Sequence, residues 1–107
     1  MEVNEYQQKA METAVYPMPI LYPSLGLAGE AGEVADKVKK VIRDKGGDFS
    51  NAETKHAIAE EIGDVMWYCA TLSHDLGFTL EEICQMNYEK LKSRKERGKI
   101  HGSGDER

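Results

Sequence analysis

The segment Glu30-Ala31-Gly32-Glu33-Val34 is repeated, with the same spacing, at Glu61-Ile62-Gly63-Asp64-Val65. An acid pair at i and i+3 lies on one face of a helix, its members about 60° apart at about 100° per residue. The surroundings say more than the pairs do. With Glu30 set at 0°, Val41, Val34, Leu27, Val38, Ala31, Ile42, Ala35 and Ala28 fill an arc from about 20° to 160°, and Glu33 falls at about 300° with Lys37 between the acids. With Glu61 at 0°, Leu72, Val65, Ile58, Leu76, Cys69, Ile62, Met66 and Ala59 fill nearly the same arc, with Asp64 at about 300° and Tyr68 between. Each helix therefore carries its carboxylates along the rim of an apolar stripe. If the stripes pack together, four acids converge, and they repel unless cations hold them. Hard divalent ions that prefer oxygen, Mg²⁺ first and Mn²⁺ second, meet that need.

The 107 residues suffice for one domain but are few for a monomeric helical enzyme with a deep pocket, and oligomerisation is one way to bury more surface. With 14 basic and 19 acidic residues the net charge is −5, which disfavours a nucleic-acid polymer as partner and leaves a small phosphorylated substrate delivered with Mg²⁺ compatible. The two cysteines, Cys69 and Cys84, fall on predicted apolar stripes and lack metal-ligand spacing. Neither a signal-peptide run nor a membrane-length segment is present, so no membrane partner and a reducing cytoplasm are expected.

Period-two alternation is absent and the expected fold is all-α, built on two long antiparallel central helices. Asn4, with Gln7 as capping-box partner, predicts the start of a short first helix whose mildly apolar face is Tyr6, Ala10, Thr13 and Ala14. All three prolines fall in Tyr16-Pro17-Met18-Pro19-Ile20-Leu21-Tyr22-Pro23. That run reads as an extended connector, which either caps the open end of the bundle or lines a nucleoside pocket with Tyr16, Ile20 or Tyr22. The second helix is predicted from about Ser24 to Lys45, stopped by Gly46-Gly47. Gly26, Gly29 and Gly32 inside it imply close approach of a backbone or a ligand. Ser50 with Glu53 predicts the cap of a third helix running to about Asp75, ended by Gly77. Thr79 with Glu82 caps a fourth, with Phe78 stapled onto Ile83. Residues 1–98 form one domain in this reading, and 99–107 a polar tail, either disordered or a flap over bound phosphate.

On the fourth helix Leu80, Cys84 and Leu91 mark the inward face, with Asn87 among them and Lys90 and Arg94 beside it. This donor-rich strip is a candidate phosphate-binding wall opposite the acids; the plainer reading ties helices with Asn87 and leaves the two cations solvated. His56, His74 and His101 form no Glu-x-x-His pair of the di-iron kind. Nor is there a nucleophile triad or a phosphate loop. Glu60 projects near both Glu61 and Asp64, so periodicity leaves open which glutamate binds metal and which acts as base.

Glu30-x-x-Glu33 and Glu61-x-x-Asp64, in the contexts Leu-Gly-Leu-Ala-Gly-Glu-Ala-Gly-Glu-Val and Glu-Glu-Ile-Gly-Asp-Val-Met-Trp-Tyr, followed by Asn87-x-x-Lys90-Leu91-x-x-Arg94, closely resemble the MazG-like all-α nucleoside triphosphate pyrophosphohydrolases in their short, single-domain form. The resemblance implies Mg²⁺-dependent cleavage between the α- and β-phosphates, giving nucleoside monophosphate and pyrophosphate, in a homodimer or homotetramer with sites built across subunit contacts. Carried across, it makes Glu30, Glu33, Glu61 and Asp64 metal ligands and Asn87, Lys90 and Arg94 substrate or phosphate contacts. Glu33 or Glu60 is the candidate for polarising the attacking water. Trp67 or Tyr68 is the candidate for stacking on a base, against a place in the core or a subunit contact. Nucleotide-pool sanitising is one role such an enzyme fills. Two other readings compete: a relative of phosphoribosyl-ATP pyrophosphohydrolase, and a non-catalytic helical oligomerisation or regulatory module.

Overall fold

A computed structural model describes all 107 residues as four helices, with no strand and no cis peptide bond. They are α1 (Val3–Glu12), α2 (Leu21–Lys45), α3 (Ala52–Asp75) and α4 (Leu80–Glu96). No helix is long and apolar enough to cross a membrane.

The core lies where α1, the C-terminal half of α3 and the first turn of α4 meet. Ala10, Ala70 and Leu80 are buried there, with Tyr6, Trp67 and Cys69 packed against them. Asn4 and Gln7, expected to cap α1, instead serve this junction. Asn4 Oδ1 accepts from the Glu81 amide at 2.9 Å, and Gln7 Oε1 accepts from the Leu80 amide at 3.1 Å. Gln7 Nε2 donates to the carbonyls of Ala70 (3.1 Å) and Phe78 (3.0 Å). The capping box at Thr79 and Glu82 forms as expected, so each of the first four amides of α4 has a partner. Three residues apart, Asn4 and Gln7 share the α1 face turned to α4, and pairing the first two amides of α4, that of Leu80 buried, outweighs capping their own helix.

The proline-rich connector differs from expectation because α2 already begins at Leu21, with Pro23 buried in its first turn, where a missing N–H costs nothing. The chain enters through a γ-turn. Ile20 sits at φ 71° and ψ −58°, and the Leu21 amide reaches back to the Pro19 carbonyl at 2.8 Å. A β-branched residue at positive φ is strained, and Asp75 compensates: its Oδ2 accepts from the Ile20 amide (3.0 Å) and the Tyr16 hydroxyl (2.7 Å). Gly46, at φ 60°, ends α2 as expected. The cap of α3 is Asn51 rather than Ser50. Asn51 Oδ1 accepts from Glu53 and Thr54, while Ser50 is engaged by Asp48.

Helices α2 and α3 pass each other with Lys45 against Thr54, Lys37 beside Glu61, and Gly26 under the ring of Tyr68, where any Cβ would collide with that ring. Only part of each apolar stripe is covered. Val41 is buried, and Leu27, Val34, Val38, Ile58, Val65 and Cys69 are half-buried. The far side of both stripes stays open: Ile42 is 62 % exposed, Ile62 48 % and Met66 46 %. Helix α4 is also more exposed than its pattern suggests. Leu80 alone is buried of the expected inward face; Cys84, Asn87 and Leu91 face outward because α4 packs on α1 and α3 and has no contact with α2. The radius of gyration is 16.6 Å, where a compact chain of this length has about 13 Å.

Because Gln7 satisfies three backbone groups at the core junction, Gln7→Ala should cost about 2–3 kcal/mol in urea unfolding. A loss below about 0.5 kcal/mol, the level of an ordinary surface change, would remove Gln7 as the organiser of that junction.

Candidate metal centre

Glu30 comes from the middle of α2; Glu61 and Asp64 come from facing turns of α3. One carboxylate oxygen from each lies within 4.8 Å of the others. Glu30 and Glu61 are half-buried and Asp64 is exposed, so the group opens at the seam between the helices. Partial burial, followed by the charges of Asp64, Glu61 and Glu33 and a hydrogen bond to Glu61, raises the Glu30 carboxyl above its ordinary pKa. Lys37 Nζ lies 4.0 Å from Glu61 Oε1.

An all-oxygen donor set of like charges, crowded at a half-open seam, suits a hard divalent ion. Glu33 is exposed and outside the three-acid group, although its charge acts on Glu30. Glu60 is exposed and turned to His56, whose Nε2 lies 2.9 Å from its Oε1. Asn87 is exposed; Lys90 and Arg94 make their polar contacts with the C-terminal tail. Because α4 does not reach α2, one protomer does not set this strip opposite Glu30.

Trp67 and Tyr68 belong to an aromatic chain. Tyr16 and Tyr22 stack at 5.3 Å and 6°, Tyr16 meets Trp67 edge-on at 6.2 Å, and Trp67 meets Tyr68 edge-on at 5.0 Å. Trp67 is tied to Thr13 by its indole N–H at 2.9 Å. The Tyr68 hydroxyl has its pKa raised by partial burial first, then by Tyr22, Glu30 and Asp64, so it borders the acid group. Tyr16 of the connector thus packs on Tyr22 and Trp67, behind Tyr68. Asp75 was missed by sequence reasoning, while Lys37, placed between the two acids of α2, turns to Glu61 of α3. Asp75 carried a usable signal, since an acid in the last turn opposes the helix dipole and needs a partner elsewhere.

A cavity of about 170 Å³ lies toward the other end of the α2–α3 pair, lined by Lys37, Lys40, Lys45, Thr54 and Ile58 among others. It contains none of the three acids, and two of its lysines are already paired, Lys40 with Asp36 at 2.8 Å and Lys45 with Thr54 at 2.6 Å.

The raised pKa of Glu30 fixes the sign of a pH effect. Its folded form holds the proton more tightly than the unfolded chain does, so without divalent ions stability falls as pH rises through that raised value. At neutral pH, Glu30→Gln should therefore raise the melting temperature of the ion-free protein slightly, by about 1–3 °C, since a half-exposed site contributes well under about 1 kcal/mol. Added Mg²⁺ should stabilise the native sequence more than the variant. An ion-free variant that melts lower, with an unchanged response to Mg²⁺, would mean that these carboxylates do not form one site.

Residues 23–98 match the family model of the MazG nucleotide pyrophosphohydrolase domain. The chain is 46 % identical over 115 aligned positions to the Gene 37 protein of Mycobacterium phage L5, covering all of both sequences. It is 38 % identical over 72 positions to YvdC of Bacillus subtilis (strain 168), covering 64 % of this chain and 68 % of that one. No solved structure matches it. The match takes in both helices that carry the acids and the whole of α4, and the chain belongs to the MazG nucleotide pyrophosphohydrolase domain family.

Proposed function

We propose that this protein hydrolyses nucleoside triphosphates between the α- and β-phosphates, releasing nucleoside monophosphate and pyrophosphate, with Mg²⁺ held by Glu30, Glu61 and Asp64. Mn²⁺ is the expected substitute. The observation that carries this reading is the meeting of three carboxylates from two helices, one with its pKa raised by partial burial and then by the charges of the others, in a chain of this family. Attack by water on phosphorus ringed by negative oxygens needs charge neutralisation, an in-line nucleophile and a stabilised leaving group. Bound Mg²⁺ supplies the neutralisation and polarises the phosphoryl oxygens.

Glu33 acts on Glu30 electrostatically without joining the three-acid group, which suits a residue that accepts the proton of the attacking water. Glu60 is the second candidate, and it would first have to leave His56. Lys90, Arg94 and Asn87 bind the phosphates, and Tyr68, with Trp67 behind it, borders the base or sugar.

Since α4 has no contact with α2 within the protomer, the phosphate-binding strip would come to the acids from another copy. A homodimer or homotetramer, built on the antiparallel α2–α3 pair, would also cover the open side of the apolar stripes around Ile42, Ile62 and Met66. The nucleotide substrates put its work in the cytoplasm.

Incubating the protein and Mg²⁺ with a panel of common, deoxy and modified nucleoside triphosphates, with products read by phosphorus NMR, should give monophosphate and pyrophosphate. Orthophosphate as the product, or no product across the panel, would refute the proposed reaction. Glu61→Gln should lower turnover by about 10²-fold or more with helicity intact. The larger loss between Glu33→Gln and Glu60→Gln identifies the base. Sedimentation should give a mass at least twice the protomer's 12.0 kDa; a monomer with full activity would rule out a shared site.

A further inference from the structure

Arg94 is buried, with 4 % of its surface exposed, in the last turn of α4. A guanidinium offers five N–H donors in a planar fork that fits two oxygens of an oxyanion at once. Here the fork is poorly used. Nη2 donates to the Asp105 carbonyl at 2.7 Å, and more distantly to Asp105 Oδ1 (3.3 Å) and the Gly104 carbonyl (3.4 Å), while the buried Nε has no partner. Lys90 Nζ lies 3.3 Å from the same Asp105 oxygen. An unpaired buried donor is costly, and both cations grip a single carboxylate whose side chain is 80 % exposed.

Apart from these bonds and the Lys99 amide on the Arg94 carbonyl (2.7 Å), the tail's polar contacts are its own. Arg107 donates to the carbonyls of Lys99, Ile100 and Gly104, closing the segment on itself, and Gly98 and Gly104 sit at φ 69° and 82° where it turns. A hollow of about 270 Å³ lined by Ile83, Met86 and Asn87 shares Lys90 with the Asp105 contact. Lys90 and then Arg94 hold the Asp105 carboxyl below its ordinary pKa, so it stays ionised at neutral pH.

We propose that Asp105 is an internal competitor: its carboxylate occupies the Lys90–Arg94 anion seat in the substrate-free protein, and the phosphate oxygens of nucleotide or pyrophosphate must displace it. This rests on the reading of Lys90 and Arg94 as phosphate contacts. A phosphate group carries more charge than one carboxylate and enough oxygens to fill both arms of the fork, so it wins the seat and releases the tail. The tail thus sets how much substrate is needed to load the site and leaves the chemical step alone.

The test is calorimetric titration of inorganic pyrophosphate with Mg²⁺ into the native protein, Asp105→Ala, Lys90→Ala and Glu106→Gln. The last removes one negative charge from the adjacent residue, which makes no bond to Lys90 or Arg94. Steady-state kinetics are measured on the same proteins. Asp105→Ala should bind pyrophosphate about two- to fivefold more tightly and lower KM by the same factor at unchanged kcat, the range an ion pair this exposed can contribute. Lys90→Ala should bind more weakly, and Glu106→Gln should match the native protein. Unchanged or weaker binding by Asp105→Ala, with Lys90→Ala still impaired, overturns the competitor and leaves the phosphate reading standing. An equal gain from Glu106→Gln also overturns it, as a general charge effect. Native affinity in Lys90→Ala overturns the phosphate role of Lys90 and the competitor with it.

Discussion

Repulsion among Glu30, Glu61 and Asp64 sets the terms on which α2 and α3 can pack. Three oxygens within 4.8 Å, in a seam only half open to water, are a liability for an ion-free helix pair. The chain offsets it in part with Lys37, and by letting Glu30 keep its proton more readily than a free glutamate does. Neither measure removes the strain. An arrangement that costs stability and survives is best understood as a site whose occupant repays the cost, which is the logic of metal binding coupled to folding.

The same helices carry more apolar surface than one protomer can hide. The arc nearest the acids is covered by the facing helix, and the arc beyond it, with Ile42, Ile62 and Met66, faces outward. Gly29, Gly32 and Gly63 have open space where a side chain would stand, so another backbone or a ligand can come close there. The radius of gyration, well above that of a compact chain of this length, accords with the open side of the helix pair. The acid site and the uncovered surface share one pair of helices, so whatever covers the surface is energetically linked to occupancy of the site.

Much of this was legible in the sequence because it is local. The acid pairs, the stop at Gly46 and the capping box at Thr79 each depend on a few neighbouring residues whose spacing fixes their geometry. One failure is local, the cap of α3 at Asn51 in place of Ser50, and the larger ones involve partners far along the chain. Asn4 and Gln7 have the spacing of a capping box, yet their bonds go to residues more than sixty positions away. Helical projection gave α4 an inward face through Cys84 and Leu91, but a projection says which residues share a face and not whether a neighbour is there to cover it. The convergence of Glu30 with Glu61 and Asp64 lay between these cases: the stripe margins predicted the rim, and only packing could select three of the acids and leave Glu33 and Glu60 outside.

What brings those three together is decided at the far end of the helix pair. Asp75, the last residue of α3, grips the amide of Ile20 immediately before α2, and Tyr16 ties the connector to the same carboxylate. Glu30 lies ten residues beyond Ile20, about 15 Å along α2, and Asp64 eleven residues before Asp75, about 16 Å back along α3. The two paths are nearly equal, so a clamp at Ile20 and Asp75 brings Glu30 level with Asp64 and, one turn further, with Glu61. The stacked Tyr16 and Tyr22, and Tyr68 seated on Gly26, fill the space between clamp and acids and stop the helices from sliding. The strained γ-turn at Ile20 then has a physical reason. It lets a proline-rich entry deliver α2 in the one register that aligns the carboxylates, and the cost of its positive φ is borne by the hydrogen bonds to Asp75.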